Sequence, residues 1–139
     1  MIVVDTNVLS EVMRPLPDAR VLRWFDQQPY EGLYLSATSL AELLAGLGKM
    51  PDGQRKAGLH GLLETLRKRW FARKILAFSE EAAEHYARLT SEARRHGRAI
   101  SMADGQIAAV AAVHGFTVAT RDTSPFEAAG VAFVNPWEA

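Results

Sequence analysis

Four acidic residues stand where short apolar runs give way to polar ones: Asp5, Glu42, Asp104 and Asp122. Asp5 ends the β-branched run Ile2-Val3-Val4, and Glu42 lies near the start of a helical stretch that follows Leu33-Tyr34-Leu35. Asp104 opens a stretch whose face carries Ile107, Ala108 and Ala111, and Asp122 follows the apolar run from Phe116 to Ala119. Carboxylates gathered in one place repel each other, and an ionised one among apolar neighbours is costly. A divalent cation removes both penalties. The chain has no cysteine, and its four histidines (His60, His85, His96 and His114) share no ligand spacing. Oxygen-only ligation of that kind selects a hard ion, Mg²⁺ or Mn²⁺. Such an ion activates a water and neutralises charge on a phosphate, so the chemistry in view is metal-assisted phosphodiester hydrolysis.

Each acid also has a simpler reading. Ser39-x-x-Glu42 matches a helix capping box, and Ser101-x-x-Asp104 does so more loosely. Asp122, in Thr120-Arg121-Asp122-Thr123, suits a turn, and Asp5-Thr6-Asn7 suits a plain helix start. The metal reading rests on the four together, and spacing alone leaves both readings open.

The elements that must position these acids are short. Ile2-Val3-Val4 reads as a buried, parallel strand at the start of the chain. Thr6 and Asn7 are suited to capping a helix through Val8, Leu9 and Val12, which Pro15 and Pro17 stop. Val21, Leu22, Trp24 and Phe25 predict a second short helix, and Leu33-Tyr34-Leu35 a second strand. A helix follows Ser36 through Leu40, Leu43, Leu44 and Leu47, punctuated by Gly46, Gly48, Pro51 and Gly53. A longer helix runs from Gln54 to about Arg73, then a strand at Ile75-Leu76-Ala77. Ser79 caps a helix to about Gly97, with Glu80 and Glu81 where the helix dipole favours negative charge. Ser101 caps another over Met102–His114, closed by Gly115. Strands at Phe116–Ala119 and Val131–Val134 complete the set. Strands alternating with helices imply an α/β fold with a mainly parallel sheet covered on both faces. In such sheets functional groups gather at the carboxyl ends of the strands.

Composition narrows the function further. With 139 residues, 48% hydrophobic and 23% charged, the chain suits one globular domain over 1–139, without repeat or linker. The lack of cysteine excludes a disulfide scaffold, a thiolate metal site and a cysteine nucleophile. Lysine plus arginine and aspartate plus glutamate number 16 each, so any grip on nucleic acid must be local. The start lacks a signal-peptide pattern, and the longest apolar run, Ile107 to Val113, is too short for a bilayer; the expectation is a cytoplasmic protein with no membrane segment.

The motifs now resemble a known family. Ile2-Val3-Val4-Asp5-Thr6-Asn7-Val8-Leu9-Ser10-Glu11 is similar to the opening of VapC/FitB-type PIN-domain toxins. Ser36-Ala37-Thr38-Ser39-Leu40-Ala41-Glu42-Leu43 resembles their second motif, and Ile100-Ser101-Met102-Ala103-Asp104 with Ile107-Ala108-Ala109 their third. Val118-Ala119-Thr120-Arg121-Asp122 resembles the fourth, and Val134-Asn135-Pro136-Trp137 their usual ending. The resemblance spans essentially the whole chain in order. It implies a PIN-like α/β/α sandwich and a Mg²⁺- or Mn²⁺-dependent endoribonuclease acting on structured RNA. It also implies a small antitoxin as inhibitor, and a homodimer. Carried over by position, Asp5, Glu42, Asp104 and Asp122 form the acidic metal site. Thr6, Asn7, Ser101 and Thr120 support it through hydrogen bonds. One departure concerns Asp122: many relatives have asparagine there and an aspartate where this chain has Pro125, so the fourth carboxylate is placed differently.

Arg121, beside a site acid, suits a substrate phosphate or a partner's carboxylate. Two basic runs, Arg67-Lys68-Arg69 with Arg73-Lys74, and Arg94-Arg95 with Arg98, read first as solvated helix faces and second as RNA or antitoxin contacts. Trp24, Phe25, Trp70 and Phe71 read as core or dimer contacts. Two rival classes remain. A phospho-receiver-like module wants a lysine at a late strand end, where this chain has Thr120-Arg121-Asp122. A non-catalytic PIN-like binding module has no need of the retained acids.

Overall fold

Five short parallel strands share one sheet in the order β3-β2-β1-β4-β5. The computed structural model describes residues 1–139. The strands are β1 (Ile2–Val4), β2 (Leu33–Ser36), β3 (Ile75–Leu76), β4 (Thr117–Ala119) and β5 (Phe133–Val134). β1 is central: Val3 lies in register with Tyr34 of β2 on one side and Val118 of β4 on the other. Its run of three β-branched residues is continuous, not alternating, because helices cover both faces of the sheet, and it ends where the chain leaves the sheet at Asp5.

Seven helices cover the sheet: α1 (Thr6–Val12), α2 (Ala19–Gln27), α3 (Ala37–Gly48), α4 (Gln54–Arg69), α5 (Glu80–Arg95), α6 (Met102–His114) and α7 (Ser124–Ala129). The strand alternation divides them. Val4, Leu33, Leu35 and Ala119 face a core shared with Val8 and Leu9 of α1, Val21, Trp24 and Phe25 of α2, Leu40 and Leu43 of α3, and Leu63 of α4. Val3 and Val118 face the other core, made with Ala82 and Leu89 of α5, Ile107, Ala108 and Ala111 of α6, and Phe126 of α7. The result is an α/β/α sandwich.

Local chemistry explains the boundaries. Asp5, not Thr6 or Asn7, is the N-cap of α1: its carboxylate accepts the Thr6 N–H at 2.7 Å. Ser36 caps α3, its hydroxyl accepting the Ser39 N–H at 3.0 Å, so Ser39-x-x-Glu42 is not a capping box and Glu42 lies a turn inside the helix. Ser79 and Ser101 cap α5 and α6. Gly115 closes α6 at φ 67°, a left-handed conformation that costs glycine nothing. α7 escapes the apolar-periodicity reading because it has only six residues; Pro125 in its first turn and Gly130 just past its end were the available signals. Phe25 and Trp70 pack ring to ring at 5.0 Å, and Phe71 is fully buried, so these aromatics belong to the core. No helix is long and apolar enough to cross a membrane.

Candidate active site

The strand order reverses direction at β1, whose neighbours are β2 and β4. At such a point the connections leave on opposite sides and open a crevice beyond the carboxyl ends of the strands. A pocket of about 490 Å³ occupies it here, lined by Asp5, Thr6, Asn7, Ser10, Glu11, Arg14, Glu42, Asp104, Arg121 and Trp137. Trp137 is the sole apolar side chain in that lining.

Asp5 is the most constrained of the acids, and only 5% exposed. Beyond the Thr6 N–H, its carboxylate accepts the Thr120 hydroxyl at 2.8 Å and the Asn7 amide at 3.3 Å. Thr120 follows β4, so this bond ties the two central strands together at their carboxyl ends. Burial nevertheless pushes the Asp5 carboxyl up to about 6; the Thr120 and Thr6 hydrogen bonds oppose the rise, and the charges of Asp104 and Glu42 add to it. Glu42 reaches in from α3 and accepts the Thr6 hydroxyl at 2.7 Å. Asp104 leaves its backbone N–H to the Ser101 hydroxyl at 3.2 Å and turns its carboxylate to the pocket. Burial raises its pKa; the Ser101 side chain opposes this, and Asp122 and Glu42 add to the rise. Three elements therefore bring Asp5, Glu42 and Asp104 into one pocket. Asp122 stands apart: it is exposed, outside the pocket lining, and reaches the site as a nearby charge on Asp104. Asn7 completes the frame, its side-chain oxygen accepting the Arg121 N–H at 3.3 Å.

The PIN-domain family model matches residues 2–131. The chain belongs to the PIN-domain family. Within it the chain is of the VapC/FitB type. It is 51% identical to the VapC ribonuclease Y4jK of Sinorhizobium fredii over 138 residues, covering 99% of each chain. It is 49% identical to toxin FitB of Neisseria gonorrhoeae over 137 residues, again covering 99% of each. The solved FitAcB structure from N. gonorrhoeae superposes with a TM-score of 0.95 at 48% identity over 100% of both chains.

The donor chemistry of this PIN pocket fits a hard divalent cation: its acids offer only oxygen, and they disfavour one another's ionisation. No three of these side chains stand as a closed ligand set by themselves. A Mg²⁺ or Mn²⁺ site does not need one, because one or two carboxylates suffice when waters fill the octahedron. Sequence reading alone missed Ser10, Glu11, Arg14 and Trp137 as pocket residues. Ser10 and Glu11 lie inside the first motif, and a glutamate only 6% exposed is a signal only burial can give.

Proposed function

We propose that this chain is the toxin of a toxin–antitoxin pair, an endoribonuclease that hydrolyses phosphodiester bonds in structured RNA with Mg²⁺ or Mn²⁺. The observation that carries the reading is the convergence of Asp5, Glu42 and Asp104 at the strand-order reversal. The names of its half-identical relatives, a VapC ribonuclease and a FitB toxin, support it. Asp5 and Asp104 would hold the ion, and Glu42, oriented by Thr6, would either join them or align the attacking water. Asp122 extends the acidic ring at its rim. Thr120 and Asn7 fix the Asp5 carboxylate, and Ser101 fixes the turn that presents Asp104. The bound ion supplies a water of lowered pKa and neutralises charge on the phosphate.

A small antitoxin protein is the proposed partner, covering the pocket. A cytoplasmic homodimer is part of the same proposal, checked by light scattering on the purified chain. The decisive test is cleavage by antitoxin-free protein. RNA should be cut only with Mg²⁺ or Mn²⁺, and a chelator should stop it. Asp104→Asn, copurified as the contamination control, should be slower by about a thousandfold or more, the scale of losing several kcal/mol of charge stabilisation. Sequencing the cleavage ends identifies the RNA. Cutting by Asp104→Asn at the wild-type rate overturns the mechanism, and harmless expression without any binding neighbour product overturns the toxin role.

A further inference from the structure

Arg14 and Arg121 are the only cationic side chains lining the acidic pocket. Each is held in place by a dedicated partner. The Arg121 guanidinium lies over the Trp137 ring, 5.0 Å from its centre, and Trp137 is only 5% exposed. The backbone of Arg121 is tied at both ends: its N–H donates to Asn7 and its carbonyl accepts the Asn135 amide at 3.4 Å. Asn135 also accepts the Trp137 N–H at 2.9 Å, so the Asn135-Pro136-Trp137 turn carries both the ring and the anchor. On the α1 side, Arg14 donates to the buried Glu11 at 3.3 Å, and Glu11 is itself fixed by the Asp18 N–H at 3.0 Å. Both guanidinium groups still face solvent.

From this placement we infer that Arg14 and Arg121 form a clamp on the RNA backbone, gripping phosphates that flank the one held over the acids. The inference rests on the ribonuclease reading and extends it. A polyanion approaching a pocket of carboxylates meets repulsion, and the net charge of zero offers no compensating pull. The ion serves the phosphate over the acids; attraction for the flanking phosphates comes from the pocket wall, where a guanidinium presents a planar fork to phosphate oxygens. The two arginines are not equivalent. Glu11 offsets the charge of Arg14, leaving it an oriented donor, whereas Arg121 rests on an aromatic face and keeps its full charge. Arg121 is the stronger contact, and Trp137 and Asn135 are its positioning residues. A ring under the guanidinium keeps it extended over the pocket at little entropic cost when RNA binds.

The test measures binding apart from cleavage. Asp5→Asn protein is titrated with the RNA cut by the wild type, or with bulk tRNA if none is cut, across a salt series. Adding Arg121→Ala should weaken binding about tenfold and Arg14→Ala severalfold. Arg121→Ala should also flatten the dependence of log affinity on log salt by about 0.7 to 0.9, the release of one phosphate's counterions, and Arg14→Ala, whose charge Glu11 offsets, should flatten it less. Trp137→Phe keeps an aromatic platform and should bind as the parent. Trp137→Leu, with its fold checked by circular dichroism, should shift affinity toward that of Arg121→Ala. In the cleaving background Arg121→Ala should raise KM and leave kcat within about twofold. Unchanged salt slopes with normal cleavage overturn the clamp and spare the nuclease. Arginine-dependent binding without any cleavage overturns the nuclease and spares the clamp. No binding to either RNA overturns both.

Discussion

The two faces of the sheet are built by opposite rules. The face under α1 to α4 is filled by large side chains: Trp24, Phe25, Leu33, Leu35, Leu63 and Phe71 are all buried there. The face under α5 to α7 relies far more on small ones: Ala82, Ala108, Ala109, Ala111 and Ala129 are five of its 11 buried core residues. Gly105 marks the extreme. A β-carbon there would meet the Tyr86 ring of α5 at 2.7 Å, so α6 can lie this close to α5 only because residue 105 has none. Asp104 precedes that glycine directly. Bulky packing supplies stability from apolar area, whereas small-residue packing fixes the separation of two backbones and so the position of what they carry. Asp104 is placed by the second rule, while Glu42 and Arg14 project from the first face.

Phe71→Ala should give the largest effect, about 3–5 kcal/mol of lost stability in urea unfolding. At a temperature where the variant is folded, its cleavage rate should match the wild type, because the cavity lies in the bulky core and away from the acids. A rate loss that persists in the folded variant would show that the two faces are not separable.

Asp5→Asn tests the border between the faces, and its sign is opposite. The Asp5 carboxyl titrates near 6 in the folded chain against 3.8 as a free side chain. An acid whose pKa rises on folding favours the folded state below the unfolded value and loses that contribution as pH climbs through the folded one. Metal-free wild type should therefore lose stability between about pH 4 and pH 6, and Asp5→Asn should not. Across that window the wild type should lose about 2–3 kcal/mol relative to the variant. Added Mg²⁺ should raise the melting temperature of the wild type and leave that of Asp5→Asn unmoved. Equal melting temperatures for the two metal-free proteins at pH 8 would contradict the burial argument.

Gly105→Ala should cost about 1–2 kcal/mol, since overpacking outweighs the gain in helix propensity. Its cleavage should fall by about tenfold, out of proportion to that cost, because a shift of α6 moves Asp104. Combining it with Tyr86→Leu, which clears the ring, should restore both quantities, and a double-mutant cycle measures the coupling. Additive effects would show that Gly105 and Tyr86 do not set the spacing of α5 and α6. The smallest effect belongs to Asp18, the half-buried cap of α2, held at about 2 chiefly by its hydrogen bond to the Arg20 side chain. Its contribution is present above its unfolded value of 3.8 and lost as pH falls toward 2. Its carboxyl carbon, followed by NMR, should titrate in that low range, and Arg20→Ala should move it upward.

This contrast marks what could be read from the residues. β1, the serine caps at Ser79 and Ser101, and Gly115 were legible because each is a local choice of the chain. The acids were legible as strand-end or helix-start residues, yet Glu42 looked like part of a capping box until Ser36 proved to be the cap. Strand order was not legible: that Val3 lies between Tyr34 and Val118 depends on two long-range pairings, one of them bridging most of the chain. The pairs Arg14 with Glu11 and Arg121 with Trp137 were hidden for a different reason, the burial of Glu11 and Trp137, which only the fold decides. A charge run advertises itself, but a lone arginine gains meaning only from the buried partner that aims it.

The bond between Thr120 and Asp5 also sets a clock. Its partners are 115 positions apart, and β4, which must pair with β1 before they meet, ends at Ala119. At translation rates of about 5–20 residues per second, the ribosome finishes most of the chain before the two ends of this contact coexist. Asp104, on α6, is likewise a late arrival. A half-made copy therefore carries Asp5 and Glu42 but no completed pocket, so on the proposed nuclease reading no cutting site exists while its message is still being read. Premature stop codons anywhere before β4 should yield inert fragments, and an inhibitor needs to meet only the finished protein.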